Sequence, residues 1–363
     1  MVKYLIPAFL TWLIWTGQAL AQSPPITVTL TTGDPTEDFI FTAPSVPGNN
    51  WLTIMDSSGR IEFSRQFPGR VFDFKAQRGL LTYYTGFFEV LDQDYQLVDT
   101  WKAVGYPTDN HDLQLLDNGN ALLLVYKPRT VDLSAYGGHV TATVVSCVIQ
   151  EIGADKSLVW EWDGWDHNPI SDTIVDLTLP RVDYEHCNAV EQDHDGNVLL
   201  SERTLDQVTK INRQTGDVIW KLGGKANEFT FTNDAGFLYQ HDIRRLPDGH
   251  ITIFDNGRAP LRDYSRAVEF EIDEVGKVIT RTWEFRGPLA GCCGNVQRIE
   301  SGPGAGNTLI NFGSAHPTIV EVNPQGEVVF EADTPFSYRS FRLPWRRRWW
   351  LPVILDSLVG SRQ

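Results

Sequence analysis

Residues 186–220 read HCNAVEQDHDGNVLLSERTLDQVTKINRQTGDVIW, and they decide the fold. A turn signal at Asp195-Gly196-Asn197, and another at Thr215-Gly216-Asp217, each separates two runs in which apolar and polar residues alternate. Period-two alternation on both sides of an Asn, Asp or Gly turn is the pattern of a β-hairpin with one buried face. The two hairpins differ in kind. The first opens on His186, and the second closes on Trp220.

Both kinds recur along the chain. Hairpins of the closing kind occupy 52–63, 88–101, 148–162, 208–220, 268–283 and 319–330. Between them lie opening hairpins at 111–124, 186–201, 241–256 and 295–312, with 71–84 a degenerate copy. Two hairpins per period make four strands, and four-stranded sheets repeated about an axis make a propeller. Six periods predict an all-β, six-bladed β-propeller spanning 22–340 as a single domain. A β-sandwich built from the same hairpins has no reason to alternate two kinds. The stretch 163–181 lacks alternation and reads as a long loop, the sort of segment that shapes a binding mouth.

Composition agrees with this. The chain of 363 residues is 12% aromatic, and aromatic residues favour half-buried sheet surfaces. A net charge of −15 provides no field to attract a polyanion, which excludes nucleic acid as a partner. Residues 1–21 read as an export signal: Lys3, an apolar run to Trp15, and Ala19-Leu20-Ala21 as a small-x-small cleavage site. A secreted or periplasmic protein is expected. Residues 341–363 form a tail in which Arg346, Arg347 and Arg348 lie between Trp345 and the pair Trp349 and Trp350. That mixture suits contact with an anionic membrane surface, but the preferred reading packs the tryptophans on the domain. Export permits disulfides, and Cys147, Cys187, Cys292 and Cys293 show no spacing of a zinc site. Sequence does not pair them. For the adjacent Cys292 and Cys293, separate partners or free thiols are expected, and Cys187 is read as packing.

Three histidines occupy one position in successive repeats. His111, His186 and His241 each open an opening hairpin, and equivalent points of successive blades converge at one end of a propeller's channel. A site of three imidazoles is therefore expected, with His139, His167, His194, His250 and His316 outside it. Arg203, permanently cationic and forked, suits a tetrahedral oxyanion. Asn188 lies two residues beyond His186, so strand alternation predicts that the two share a face. Asp255-Asn256-Gly257 reads as a turn and nothing more.

At these residues the sequence resembles the arylsulfotransferase family, which moves a sulfuryl group between phenols without a nucleotide donor. The likeness runs from about residue 50 to 340 and is most specific in HCNAVEQDHDGNVLLSER, VTKINRQTGDVIWKLGG, FLYQHDIRRLPDGHITIFDNG, GNVQRI and GNTLINFG. It implies small aryl sulfates and phenols as substrates, with no cofactor and no metal. His241 would be the histidine that is transiently sulfated, His186 and Arg203 the sulfuryl-binding pair, and His111 a further catalytic histidine. Asn188 would add a substrate hydrogen bond. Asp242 or a backbone carbonyl is expected to fix the His241 tautomer. The alternative is a non-catalytic propeller that binds a small anion or a protein partner at the same mouth. A quinone-dependent dehydrogenase lacks the cluster of acidic calcium ligands it would need, and a three-histidine zinc site is the remaining alternative.

Overall fold

The computed structural model describes residues 23–345, except 33–35, 37 and 303. Its strands fall into six separate sheets, each with a core of four antiparallel strands, and these are the six blades of a β-propeller. Blade 4 shows the rule. Its strands Cys187–Gln192, Val198–Glu202, Gln207–Ile211 and Val218–Gly223 pair in that order, and they are the two hairpins quoted from the sequence. The opening hairpin supplies the two inner strands of a blade and the closing hairpin the two outer ones.

Alternation matters because a blade packs on both sides. Each of six apolar clusters lies between two consecutive blades, and the cluster between blades 4 and 5 joins Leu199, Val208 and Trp220 to Ile243, Ile253 and Phe270. Inner strands consequently lose their polar face. Val198–Glu202 is buried at every position, as expected of a strand covered on both faces.

Blade 1 has no opening hairpin in the sequence, because its two inner strands come from opposite ends of the chain. Ser340–Leu343 pairs with Phe39–Thr42, which pairs with Asn49–Met55, and Ile61–Phe67 follows. Pairing the two ends closes the ring. The boundary expected at residue 340 is therefore wrong, since Phe341, Arg342 and Leu343 belong to the innermost strand of the blade. Trp345 packs on the domain as expected, edge-on to Phe41 at 6.0 Å. The arginines and tryptophans after it, like residues 1–21, lie outside the described residues.

Cys187 does more than pack. It is bonded to Cys147, tying the third strand of blade 3, Ala142–Ile152, to the innermost strand of blade 4. The stretch 163–181 is also not at the mouth. It folds into short 3₁₀ turns at Gly164–Asp166 and Ile170–Asp172 and contributes no residue to the wall of the cleft described next.

Candidate active site

A cleft of about 800 Å³ opens at one end of the channel, and residues at one structural position in all six blades line it. That position is the start of the innermost strand. Blades 3, 4 and 5 place His111, His186 and His241 there, while blades 6, 1 and 2 place Cys293, Tyr338 and Phe72. The backbone turns through positive φ at two of the six positions, His186 (43°) and Cys293 (68°), and at the residue after two others, Asp73 (49°) and Asp242 (58°). Pairing slips between Phe72 and Lys75, between Cys187 and Ala189, and between His241 and Arg244. Such bulges re-aim side chains. Here they turn the first residue of the strand onto the mouth of the channel.

The slip also explains why Asn188 is elsewhere. Left-handed backbone at His186 breaks the alternation that would have put both side chains on one face. Asn188 is fully buried, its amide donates to the Gln240 carbonyl at 2.8 Å, and it is not part of the cleft wall.

His241 is held by two oxygens. Its Nδ1 lies 2.7 Å from Oδ1 of Asn256 and 3.2 Å from the Tyr239 carbonyl. The Asn256 amide nitrogen donates to the carbonyls of Ala290 and Cys293, both at 2.9 Å, which fixes its oxygen toward the imidazole. Both neighbours of Nδ1 accept, so Nδ1 carries the proton and Nε2 keeps its lone pair. The backbone N–H of Cys293 points at Nε2 from 3.3 Å. Burial, with the charge of Arg203 adding to it, holds His241 well below the ordinary histidine pKa. Asn256 escapes a reading from sequence because Asp-Asn-Gly is an ordinary turn signal. The hairpin that starts at residue 241 nonetheless brings Asn256 back beside it. Asp242 faces away, pairing with Arg244 at 2.8 Å.

The other two imidazoles are anchored by carboxylates. Nδ1 of His186 lies 2.6 Å from Asp183, and Nδ1 of His111 lies 2.6 Å from Asp109. Burial lowers the pKa of His186 despite its aspartate, which favours the neutral ring. The two rings meet edge to face at 5.1 Å. Tyr126, which sequence reasoning misses, packs against both and donates its hydroxyl to the Cys187 carbonyl at 2.8 Å.

Arg203 follows the second strand of blade 4, and its backbone N–H donates to the His186 carbonyl at 3.0 Å. Its guanidinium stacks on Tyr239 at 4.1 Å and donates to the Gly291 carbonyl at 3.1 Å. It forms no ion pair among the described residues, because Asp206 pairs with Arg258 instead. Below the ring, Asp73, Asp112 and Asp242 are matched by Lys75, Arg244 and Arg339 in a buried network. Those charges satisfy one another, whereas Arg203 contacts only neutral groups among the described residues; it is not part of the cleft wall, where the arginine is Arg70.

Residues 82–335 match the arylsulfotransferase (ASST) family. The chain belongs to that family. An arylsulfotransferase carries out sulfuryl transfer, and the family's aryl sulfate and phenol substrates are the ones this cleft is to be read against. No protein of curated function matches the chain. Similar solved structures include a protein of unknown function from Bacteroides caccae (13% identity, 84% of this chain and 98% of that one, TM-score 0.49). A streptogramin B lyase (12%, 85% and 89%, 0.45) and virginiamycin B lyase from Staphylococcus aureus (10%, 84% and 87%, 0.44) are also similar. At these values none of the three bears on the chemistry of this protein.

Proposed function

We propose that this protein moves a sulfuryl group from an aryl sulfate to a phenol in two steps through a sulfohistidine at His241. The observation that carries the reading is the state of that imidazole: buried, with its proton held on Nδ1 by Asn256, and with Nε2 unprotonated on a cleft wall, where it accepts only the long contact from the Cys293 N–H. In the first step Nε2 attacks sulfur, an N–S bond forms, and the S–O bond to the aryl group breaks. The departing phenolate takes a proton from a neighbouring imidazole. In the second step an incoming phenol gives up its proton, attacks sulfur, and releases His241.

Each residue has a role that its surroundings support. Arg203, with no ion pair among the described residues, grips the sulfuryl oxygens through its planar fork. Burial lowers the pKa of His186, so it brings hydrogen bonding more than charge to holding the sulfuryl group. His111, anchored by Asp109 as His186 is by Asp183, gives the proton to the departing phenolate and takes it back from the incoming phenol, a contribution of about 10²–10⁴-fold for general acid-base catalysis. Phe72, Tyr338 and Phe336 line the opposite side and offer aromatic faces to the ring of the substrate. Sulfuryl transfer, like phosphoryl transfer, asks mainly for positioning and charge stabilisation. We place the reaction outside the cytoplasm, a reading supported by the Cys147–Cys187 disulfide and by the signal read at residues 1–21.

The test is release of 4-nitrophenol from 4-nitrophenyl sulfate by the purified protein, with and without added phenol, beside His241→Ala. Acceptor-dependent release that disappears in the variant, with sulfate mass on the His241 peptide after quenching, is the expected result. Folded protein that binds aryl sulfates without turnover would instead favour a receptor for small anions.

A further inference from the structure

Sulfuryl transfer through His241 leaves Cys292 and Cys293 without a role, although both line the cleft. Both are free, and Cys292 is exposed. Their sulfurs lie 2.9 Å apart, against a bonded distance of about 2.05 Å. The same chain carries the bond Cys147–Cys187, and such bonds persist where thiols meet oxidants. A reduced pair on an open wall is exposed to those same oxidants.

The peptide between the two cysteines carries the N–H of Cys293, and that N–H donates to Nε2 of His241 at 3.3 Å. The backbone after it is pinned. The Cys293 carbonyl accepts from Asn256 at 2.9 Å, and the Gly294 N–H donates to the Tyr338 carbonyl at 3.0 Å. Cys293 itself sits at φ 68°, a region sparsely populated by residues with a side chain. Joining adjacent cysteines closes a small ring that contains their shared peptide. With the next peptide held, that ring is accommodated by rotating the 292–293 amide, and the N–H on the nucleophile moves with it.

We propose that Cys292 and Cys293 are a thiol–disulfide modification site, closed by low-molecular-weight disulfides, that switches His241 through the Cys293 N–H. The switching half rests on the sulfohistidine reading, whereas the modification half does not. The Cys292 thiolate attacks one sulfur of glutathione disulfide and expels a glutathione thiolate. The Cys293 thiol loses its proton and attacks the Cys292 sulfur, which expels the second. The pair gives up two electrons and two protons, and glutathione disulfide becomes two glutathiones. Cys292 is suited to attack first. A hydrogen bond from Cys293, helped by the charge of Arg203, brings its pKa down to about 7, and thiols titrating near the ambient pH attack fastest. Cys293 is held up by the same contact and by burial.

The experiment equilibrates the full chain with reduced and oxidised glutathione in graded ratios, under native conditions that spare the buried Cys147–Cys187 bond. Thiols are counted with Ellman's reagent, the peptide spanning 292–293 is weighed, and sulfuryl transfer is assayed in parallel. The expected result is loss of both thiols as a closed pair lighter by two hydrogens, a rate higher by about 2- to 10-fold as the N–H leaves the attacking lone pair, and return to the original rate with dithiothreitol. Cys292→Ser should never close and should keep its own rate, whatever that is, across all ratios. Two titratable thiols at every ratio would overturn the modification site. Closure with an unchanged rate would overturn the switch. If no transfer is seen in any form, the His241 imidazole NMR signals of reduced and closed protein replace the rate: a shift supports the switch, and identical spectra refute it.

Discussion

The two halves of the cleft share one backbone position and differ in what they place there. Blades 3, 4 and 5 present His111, His186 and His241, each with Nδ1 tied to an oxygen, while blades 6, 1 and 2 present Cys293, Tyr338 and Phe72. The propeller fixes where the six side chains converge and says nothing about what they are. In the proposed reaction, chemistry falls to one half of the ring and substrate contact to the other. Within the histidine half there is a further contrast. His111 and His186 lean on carboxylates, and His241 leans on an amide. An amide oxygen orients the ring without offering a charge that favours the imidazolium, and burial lowers the His241 pKa further, which fits the attack proposed for it.

The largest effect should come from that nucleophile. His241→Ala is expected to lower kcat by at least about 10⁴-fold, with little change in thermal stability beyond a small cavity, measured by steady-state release of 4-nitrophenol and by calorimetry. His111→Ala, which removes proton transfer, and His186→Ala, which removes a hydrogen bond to the sulfuryl group, both leave the attacking nitrogen and should cost less, about 10²–10⁴-fold. If either abolished activity while His241→Ala retained it, the assignment within the histidine half would be reversed. Next in size is Arg203→Lys. Lysine keeps the charge and loses the fork stacked on Tyr239, so a fall of about 10²-fold in kcat/KM is expected, with the pH profile unchanged.

Asn256→Asp tests the contrast between amide and carboxylate directly. In the native protein the buried His241 is depressed, and it stays neutral as pH falls through the ordinary histidine range near 6.5. Activity should accordingly persist below pH 6.5. An aspartate at 256 would raise the imidazole pKa, so the acid limb of kcat/KM should move upward by about one unit. The same depression has a sign for stability. A histidine whose folded pKa lies below its unfolded value contributes fully above about pH 6.5 and loses that contribution as pH falls toward the folded pKa, which urea denaturation at several pH values would read. The substitution also removes the amide donor from two carbonyls, so stability at pH 8 is the control. A variant that is less stable yet keeps an unmoved acid limb would show that Asn256 does not act on His241.

How much of this is legible in the sequence follows from periodicity. Hairpin alternation and the recurring His position carry the blades and the three imidazoles, because both are local patterns that repeat. Blade 1 is illegible for the opposite reason: its two inner strands, Phe39–Thr42 and Ser340–Leu343, pair with each other across nearly the whole chain, so no local hairpin joins them. Asn188 and Asn256 are hidden by backbone detail. Positive φ at His186 undoes strand alternation for Asn188, and Asn256 resembles any turn residue until its hairpin closes on His241. The stretch 163–181 shows that the length of a loop does not place it at the mouth. The mouth is instead shaped by the short turns around Pro47 and Pro68 and by Phe336.

The smallest effect is the one that best separates the two halves. Phe72 is half-buried on the cleft wall and edge-on to Tyr338 at 5.8 Å. An aromatic contact of this kind is worth roughly 0.5–1.5 kcal/mol, or about 2- to 12-fold in binding. Phe72→Leu keeps most of the apolar volume and removes the ring, so KM for an aryl sulfate should rise within that range while kcat changes by less than about 2-fold. Steady-state kinetics with two donors that differ in ring size would sharpen the result, because the larger ring should lose more. If kcat fell in step with kcat/KM instead, Phe72 would be acting in the transition state. The division of the ring into a reacting half and a binding half would then fail, even with every histidine assignment intact.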